Sequence, residues 1–491
     1  MKLLDICKNA GIKCPKNLEN IEVEGISSRS YEIKENYVFV CLKGTKLDGH
    51  RYIDAAILNG AVAVVIENEK FLCENSILVD STRVALAKMM NAFCGEPTKK
   101  LRFIGVTGTN GKTSVAAMLK HILSTTNHPT EVIGTLNCSS FHKVTDNFTS
   151  NFTTPDPEEL YPMLQRIAVS GIEFVVMEAS SHALKLNKLA PIDFEIGIFT
   201  NLTEDHLDFH LDMEDYFNSK LRLFDKCKIG IINIDDDYGK RIASLNPCKI
   251  LTCSQESKAD FQAKNVVALG EKGTRYSIAA KNEAIDIFCK VPGNFSVLNS
   301  MQAASCASLL GIDKNDIERS FKSFLGVKGR LEKIELFEGR GFAVFIDYAH
   351  TPDALLKVLQ TINSFKNENQ RTVLVFGCGG DREKQKRSIM GKIATQNANF
   401  VVITNDNPRS ENPNLIINDI LSEITDKNNF AVIPNRKNAI EYAIATARQG
   451  DIILLAGKGH ENYEINSLGK IYFEEREILR EMYHKYYEKE K

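Results

Sequence analysis

The segment RFIGVTGTNGKTS, residues 102–114, contains residues that could bind a nucleotide phosphate. It begins as an apolar strand, and SVAAMLKHIL at its end has the apolar spacing of a helix. Backbone N–H groups that converge at the beginning of a helix bind anions, and Gly108 and Gly111 can adopt the positive φ angles that such a turn requires. Lys112 could reach the β- and γ-phosphates, and the Thr113 hydroxyl could ligate Mg²⁺. The pattern therefore predicts nucleotide binding.

Acidic and imidazole side chains follow two further apolar stretches. Glu178 ends the buried-strand pattern EFVVMEA, at a position where open α/β sheets gather ligands. His206 and His210, in FTNLTEDHLDFH, are four residues apart, as in a zinc-binding pair on one helix face. No H-E-x-x-H motif and no further Cys or His cluster accompanies them. A zinc site and a solvated polar loop are therefore alternative interpretations of this pair.

Short apolar runs alternate with amphipathic stretches along most of the chain, which is typical of βαβ units and parallel sheets. The predicted strands are NYVFVCL, GAVAVVIEN, RFIGV, EFVVMEA, IGIIN, AVFIDYA, TVLVFGC, FVVITND and DIILLAGKG. Breaks near CGEPTKK and LGVKGRLE predict three α/β domains, at 1–98, 99–331 and 332–491. The central domain is expected to be a P-loop-type parallel-sheet domain, and the C-terminal one Rossmann-like.

Composition excludes several classes of protein. A net charge of −2 favours neither nucleic acid nor an anionic membrane surface as a partner. No apolar run approaches 18 residues, so no membrane insertion is expected. The 12 cysteines contain no C-x-x-C pair, which indicates reduced thiols and a cytoplasmic protein.

The loop TGTNGKT resembles the ATP-binding loop of the Mur ligase family, the ATP-dependent amide-forming enzymes of peptidoglycan synthesis. The strict P-loop pattern G-x-x-x-x-G-K-[ST] has its first glycine where Val106 stands here, and the family's loop shares this departure. The resemblance implies that ATP contacts Gly108, Thr109, Asn110, Gly111, Lys112, Thr113 and Ser114.

The same resemblance extends to the magnesium ligands and to the rest of the ATP site. Its implied Mg²⁺ ligands are Thr113, Glu178, His206 and Lys220, the last as a carbamate within EDYFNSKLRLF. A carbamate is an anionic oxygen donor suited to Mg²⁺, whereas an ammonium is not. The implied catalytic residues are Lys112, Glu178, His206, Lys220 and Arg330. Further implied ATP contacts are Asn299, Arg330, Asp347 and His350, with Glu332 and Tyr348 beside them and Ser296 in place of the family's asparagine.

The N-terminal segment 24–65 resembles the family's uridine-nucleotide-binding domain, through an S-R pair and DGHRYI. The TTPD stretch at 153–156 and the SSH motif resemble its dipeptide-contacting elements. The implied substrate-binding residues are Ser28, Arg29, Thr153, Thr154, Ser180 and Lys188. Three positions depart from the pattern: Phe152 replaces asparagine, Leu186 replaces glutamine and Lys188 replaces arginine.

Three C-terminal elements, GCGGDREKQKR, NDNPRSENP and AGKGHENY, resemble the family's amino-acid acceptor site in the same order. The D-N-P-R form is associated with meso-diaminopimelate. A guanidinium pairs bidentately with that acceptor's second carboxylate and would repel the terminal ammonium of lysine. The implied acceptor residues are Arg382, Asp406, Asn407, Arg409, Gly457 and Glu461. Taken alone, D-N-P-R could also be a turn after a strand.

The resemblance covers residues 21 to 465 and implies a cytoplasmic, monomeric ligase of cell-wall synthesis, with the roles in cell shape and division that this brings. Its substrates would be ATP, UDP-N-acetylmuramoyl-L-alanyl-D-glutamate and meso-diaminopimelate, joined through an acyl phosphate. L-Lysine is the alternative acceptor. The glycine loop would also fit a folylpolyglutamate-synthase-type ligase, a P-loop NTPase that drives movement or assembly, or a nucleotide-binding scaffold without turnover.

Overall fold

The computed structural model describes residues 1–44, 47–136, 153–207, 209–280, 284–367, 369–425 and 428–488. The chain forms two compact units: Met1–Leu202 with Phe209–Thr252, and Thr203–Asp208 with Cys253–Lys491. Both units contain parallel sheets flanked by helices, so the predicted α/β class is confirmed.

The first unit begins with a small parallel sheet whose four strands lie in chain order. Its two central strands are the predicted NYVFVCL and GAVAVVIEN segments. The strands are Gly25–Ser27, Tyr37–Val40, Ala61–Ile66 and Ser76–Leu78, and the α-helices are Leu3–Ala10, Ile53–Leu58 and Thr82–Phe93.

A larger sheet in the same unit carries the glycine loop. The strand before the loop, Arg102–Thr107, pairs in parallel with Phe174–Glu178 on one side and with Phe194–Phe199 on the other. Five of its six residues are buried because helices cover both faces. The order of the strands is Lys249–Ser254, Cys227–Asn233, Phe194–Phe199, Arg102–Thr107, Phe174–Glu178 and Thr130–Ile133. The α-helices are Lys112–Thr125, Pro157–Val169, Ser181–Lys185, Met213–Leu221 and Asp237–Leu245.

The second unit contains an antiparallel group of strands and a second α/β sheet. The antiparallel strands are Phe261–Ala268, Thr274–Ala279 and Ala284–Cys289, and the α-helices after them are Asn294–Leu309 and Lys314–Ser323. The α/β sheet has the order Glu332–Lys333, Ala343–Asp347, Ile452–Ala456, Thr372–Phe376, Phe400–Ile403 and Phe430–Val432. Its α-helices are Pro352–Phe365, Gln385–Asn397, Pro413–Leu421, Arg436–Ala445 and Glu475–Tyr487, and the hairpin Tyr463–Asn466 and Gly469–Tyr472 precedes the last.

Successive residues of this second α/β sheet belong to two different cores. In the strand Thr372–Phe376, Leu374 and Phe376 pack into one core, and Val373 and Val375 into the other. Side chains alternate between the faces of a strand, so a sheet covered on both faces needs the continuous apolar runs that the sequence shows. Short 3₁₀ helices complete the two units at Lys16–Leu18, Ser30–Glu32, Gly49–Tyr52, Glu69–Phe71, Pro97–Lys99, Phe224–Lys226, Gly270–Lys272 and Glu335–Phe337.

Candidate active site

The predicted strand–loop–helix unit of the glycine loop is present. Gly108 and Gly111 have φ angles of +146° and +89°, in the region that side chains rarely adopt. The helix begins at Lys112, two residues earlier than the sequence pattern indicates, because Gly111 turns the chain directly into it. The N–H groups of the first helical turn therefore lie beside the loop, as an anion site requires.

Lys112, Thr113, Glu178 and Lys220 lie together at this loop. Lys112 Nζ donates to the carbonyls of Gly108 and Thr109, each at 2.9 Å. Thr113 donates its hydroxyl to Glu178 Oε2 at 3.0 Å. The buried Lys220 Nζ also donates to the Gly108 carbonyl, at 2.8 Å, and lies over the Tyr216 ring. Two cations and one carboxylate thus converge on the loop.

The Glu178 carboxylate is held rigidly at the end of its strand. Its side chain is fully buried, and Oε1 accepts from the Thr135 backbone N–H at 2.9 Å. Gly134 packs directly against it, since a Cβ there would lie 2.2 Å from Oε1. A hydroxyl and a carboxylate at this spacing are oxygen donors that suit Mg²⁺. Among the described residues, no three His, Cys, Asp or Glu side chains lie close enough together to hold a metal ion. The predicted Mg²⁺ ligands include only two residues of these types, Glu178 and His206.

Two residues that the sequence analysis missed, Thr200 and Asn201, fix the loop from the neighbouring strand. The Asn201 carbonyl accepts from the Thr109 N–H at 2.8 Å, and Asn201 Oδ1 accepts from the Asn110 N–H at 3.0 Å. The Thr200 hydroxyl donates to the Asn110 carbonyl at 2.6 Å. Both follow the strand Phe194–Phe199, whose carboxyl end was the available signal.

We expect Gly108→Ala to lower the free energy of unfolding by about 3 kcal/mol, through backbone strain and a steric clash. An added Cβ would lie 1.9 Å from Thr200 Oγ1. Gly171→Ala is the matched control, because its φ of +79° is also positive but nothing lies within 4 Å of an added Cβ. It should cost only about 1 kcal/mol. Urea unfolding of both variants checks this, and equal losses would refute a tight contact at Gly108.

Thr153, Thr154, Ser180 and Lys188, predicted as substrate-binding, lie beside the Glu178 strand. The Thr154 hydroxyl is 2.7 Å from the Glu178 carbonyl and 3.0 Å from Ser180 Oγ. Thr153 Oγ1 lies 3.2 Å from Thr135 Oγ1. Lys188 is buried and forms an ion pair with Asp156 at 2.7 Å. Phe152 lies outside the described residues.

A cavity of about 220 Å³ is lined by three of the predicted substrate residues of this unit, Ser28, Arg29 and Lys188. Ser28 and Arg29 lie on its wall with Leu186 and Lys188, two of the positions that depart from the family's substrate-binding pattern. The remaining lining residues are Leu42, Arg83, Leu86, Asp156, Pro157 and Glu158. Ser28 donates its hydroxyl to Glu158 Oε1 at 2.5 Å. The cavity thus combines cationic, anionic and apolar side chains.

The zinc interpretation of His206 and His210 required both on one helix face. The helix that follows them begins only at Met213, so this requirement is not met. His210 is buried, with Nε2 2.9 Å from Ser181 Oγ and Nδ1 3.2 Å from Asp215. Burial lowers the pKa of His210. His206 is exposed, has a φ of +57° and belongs to the second unit.

In the second unit, Arg330 lies over the Tyr348 ring, with its guanidinium carbon 4.6 Å from the centroid. Asp347 accepts from the Leu331 N–H at 2.6 Å and from the Ala349 N–H at 2.8 Å. His350 Nδ1 lies 2.9 Å from the Tyr348 carbonyl. The linker arginine and the strand-end residues that the sequence analysis grouped are therefore neighbours.

Asn299 and Ser296 lie on the helix Asn294–Leu309 and are both buried. The Ser296 hydroxyl donates locally, 2.7 Å from the Val291 carbonyl and 2.6 Å from that of Gly293. Where the family pattern has asparagine, this chain therefore uses a short side chain that bonds to its own backbone.

The predicted acceptor residues Asn407 and Glu461 are hydrogen-bonded to each other. Asn407 Nδ2 donates to Glu461 Oε2 at 2.8 Å. Asn407 Oδ1 accepts from Lys458 Nζ and from the Ile465 N–H, both at 3.0 Å. The fully buried Lys458 was missed by the sequence analysis, although it lies within the quoted AGKGHENY element. Burial, with the nearby Asp406 charge, raises the pKa of Glu461.

Arg409 and Gly457 border the same cluster, while Arg382 is exposed on the adjoining loop. Arg409 Nη1 donates to the Gly380 carbonyl at 2.7 Å, and its φ of +52° is unusual for a residue with a side chain. A Cβ at Gly457 would lie 2.8 Å from Asp406 Oδ2. Arg382 Nη1 donates to the Asp381 carbonyl at 3.1 Å.

A buried arginine connects this cluster to the C-terminal helix. Arg436 donates to Glu475 Oε1 and to the Ala456 carbonyl, both at 2.8 Å, and lies 3.9 Å from Asp406. Glu475 is itself fully buried at the beginning of the helix Glu475–Tyr487.

No helix among the described segments is long and apolar enough to span a bilayer.

Three family models match this chain: "Mur ligase family, catalytic domain" at residues 22–94, "Mur ligase middle domain" at 106–307, and "Mur ligase, glutamate ligase domain" at 329–459. The UDP-N-acetylmuramoyl-L-alanyl-D-glutamate–2,6-diaminopimelate ligase of Caldanaerobacter subterraneus subsp. tengcongensis is 40% identical over 98% of this chain and 99% of its own. The ligase of the same name from Clostridioides difficile is 39% identical over 98% and 99%.

A solved structure of a UDP-N-acetylmuramoyl-L-alanyl-D-glutamate–2,6-diaminopimelate ligase has the same fold. Its TM-score is 0.70 at 29% identity, and the match covers 98% of this chain and 99% of that one. The three family models and the full-length similarity agree with one another, and the chain belongs to the Mur ligase family.

Proposed function

We propose that this protein is an ATP-dependent ligase that joins meso-diaminopimelate to UDP-N-acetylmuramoyl-L-alanyl-D-glutamate. The observation that carries the proposal is the acceptor cluster, where the Arg409 cation and the Glu461 carboxylate share the Asn407 side chain and backbone. An amino-acid head group bears one carboxylate and one ammonium, and this cluster offers a partner for each. The full-length relatives at about 40% identity carry names of the same activity.

The glycine loop is proposed to bind ATP. Lys112 would neutralise the phosphate charge, and the first-turn N–H groups would donate to it. Thr113 and Glu178, with Lys220 as a carbamate and His206, are the proposed residues for holding Mg²⁺, which would supply positive charge at the phosphates. Further proposed ATP contacts, on the family resemblance alone, are Gly108, Thr109, Asn110, Gly111, Ser114, Asn299, Arg330, Asp347 and His350.

The proposed reaction has two steps. A carboxylate oxygen of the substrate's D-glutamate attacks the γ-phosphorus of ATP, ADP leaves, and an acyl phosphate forms. The deprotonated amine of diaminopimelate then attacks the acyl carbon, and phosphate leaves as the amide bond forms. Lys112 and Arg330 would stabilise charge that spreads over the phosphoryl oxygens. Phosphate itself is the leaving group, so the reaction needs no serine or cysteine nucleophile.

Substrate binding is proposed for Ser28, Arg29, Thr153, Thr154, Ser180 and Lys188. Ser28, Arg29 and Lys188 line the cavity, and the Thr154 carbonyl accepts from Lys188 Nζ at 3.4 Å. We also propose three functional domains at 1–98, 99–331 and 332–491. Family-model matches at 22–94, 106–307 and 329–459 support these limits. Because ATP and UDP-linked precursors are cytoplasmic metabolites, we propose that the enzyme acts there.

Phosphate release from Mg-ATP and the UDP-muramoyl dipeptide tests the proposal when meso-diaminopimelate, L-lysine and no amino acid are compared. We expect release with diaminopimelate only, because the Arg409 guanidinium suits a second carboxylate and repels an ammonium. Equal phosphate release with L-lysine would still support a ligase but would contradict the preference for diaminopimelate. Release without acceptor or dipeptide would indicate a plain NTPase.

A further inference from the structure

Arg387 is a fully buried cation that the proposed chemistry does not use. It is the last residue of the GCGGDREKQKR element and lies in the first turn of the helix Gln385–Asn397. A buried guanidinium is costly unless carboxylates and other acceptors satisfy it. Two carboxylates do so here, Glu411 and Asp419, and they belong to different parts of the chain.

Arg387 and Glu411 form a bidentate ion pair. Arg387 Nη1 donates to Glu411 Oε2 at 2.9 Å, and Nη2 donates to Oε1 at 2.8 Å. Parallel bonds of this kind fix the orientation of both side chains. Asp419, on the helix Pro413–Leu421, accepts one bond from Nη1 at 2.8 Å. Only Glu411 lies in the NDNPRSENP segment that carries Arg409.

Glu411 also holds the loop that carries Arg382. Its Oε1 accepts from the Asp381 backbone N–H at 2.5 Å. The Asp381 carboxylate in turn accepts from the Ser410 N–H at 3.2 Å and from the Ser410 hydroxyl at 2.7 Å. One carboxylate therefore joins the guanidinium of Arg387 to the backbone of the loop that precedes it.

The two loops are in close backbone contact along this line. The Gly380 N–H donates to the Asn407 carbonyl at 2.9 Å, and the Gly380 carbonyl accepts from Arg409 Nη1. A Cβ at Gly380 would lie 1.9 Å from the Pro408 carbonyl oxygen. Residues 379–382 and 407–411 thus form one joined element, with Glu411 and Arg387 at its buried side.

We propose that Glu411 is a positioning residue for the acceptor amino acid, because it fixes the loop of Arg382 against the loop of Arg409. It contacts no substrate itself and acts through the spacing of the two guanidinium groups. This inference rests on the proposed function, in which those groups bind the acceptor. A pre-organised pair binds its ligand without paying to order the loops first.

The charge of Glu411 is maintained at any working pH. Its bonds with Arg387 lower the pKa of Glu411 to about 2. Asp381 is likewise kept ionised, because the Ser410 hydroxyl and N–H lower the pKa of Asp381. The joined element therefore does not loosen between pH 5 and pH 9, and acceptor affinity should show no titration from it.

Glu411→Gln tests the inference, and Asp419→Asn is its matched control. Both variants neutralise a carboxylate partner of Arg387, but only Glu411→Gln leaves the Arg387 guanidinium and the Asp381 N–H to share a single acceptor oxygen. We expect Glu411→Gln to raise KM for diaminopimelate about 10-fold, with kcat and KM for ATP within about 2-fold of wild type. Asp419→Asn should leave all three within about 2-fold. Initial rates of acceptor-dependent phosphate release give these constants.

Three results separate the ways in which the inference could fail. If both variants lower Tm and neither changes KM for diaminopimelate, Glu411 is merely structural and the inference is wrong. If the wild-type protein releases no phosphate with any acceptor, the proposed function fails before Glu411 is examined. If Glu411→Gln does not fold, Ser410→Ala decides, since it removes a bond to Asp381 without exposing a buried charge. It should raise KM for diaminopimelate about 2- to 3-fold, and an unchanged KM would overturn the inference.

Discussion

Replacing Lys112 with methionine is expected to lower kcat for phosphate release by about 10³-fold, as the loss of a group that stabilises transition-state charge does. Methionine retains the length of the side chain but cannot donate to the Gly108 and Thr109 carbonyls or neutralise a phosphate. In the structure, both carbonyls hold Lys112 Nζ at the loop, so the cation is already placed beside the proposed phosphate site. The fall in kcat should therefore come from the loss of this positioned cation, and the overall fold should be unchanged.

The measurement is single-turnover and steady-state phosphate release with saturating dipeptide and diaminopimelate, together with ATP binding by calorimetry. Lys240→Met is the control, because Lys240 is an exposed lysine of the same unit, paired with Asp237. That variant should match wild type. A Lys112→Met protein with normal kcat and only a raised KM for ATP would contradict a role in the transition state.

Arg409→Ala is expected to lower kcat/KM for diaminopimelate by about 10³-fold. The variant would leave the second carboxylate of diaminopimelate without its charged hydrogen-bond partner, and such a loss is costly in a site built to bind that group. The guanidinium is held by the Gly380 carbonyl, and Gly379 leaves room beside it, because a Cβ there would lie 2.8 Å from Nη1. The value for L-lysine should stay unchanged or rise. The ratio of kcat/KM for diaminopimelate to kcat/KM for L-lysine would then fall by at least the same factor as kcat/KM for diaminopimelate.

Arg409→Lys sharpens this test, because it retains the charge and loses the planar fork. We expect an intermediate loss of about 10²-fold with diaminopimelate. Arg319→Ala, at an exposed arginine of the same unit, is the control and should have wild-type constants. Equal losses with diaminopimelate and lysine in Arg409→Ala would mean that the arginine supports the loop rather than reading the acceptor's second carboxylate.

The sequence predicts the α/β class and nine of the 21 strands in the described residues, because buried parallel strands require continuous apolar runs. It also places Glu178 correctly at a strand end, next to the glycine loop. Thr200 and Asn201 also follow a strand end, but their contacts with the loop arise from the pairing of Arg102–Thr107 with Phe194–Phe199. Only the order of strands in the sheet brings Asn201 to the Asn110 N–H.

The acceptor region shows the same limit. Asn407 and Glu461 were predicted from motifs, whereas Lys458 was passed over although it orients the Asn407 amide. Arg387 and Glu411 are 24 residues apart, and nothing in a linear pattern shows that they form a pair. Motifs thus predict candidate ligand-binding groups, but side-chain pairs that hold loops together depend on packing between distant segments.

The buried bond between Arg436 and Glu475 has a consequence for protein engineering. The helix that begins at Glu475 supplies the only fully buried carboxylate that Arg436 is bonded to among the described residues. An engineered truncation of that helix would remove this counter-charge from Arg436 and leave the more distant Asp406, at 3.9 Å. Breaking a buried pair in this way costs about 3–5 kcal/mol. Shortening this end of the protein would therefore also change the surroundings of Asp406, a residue of the proposed acceptor site.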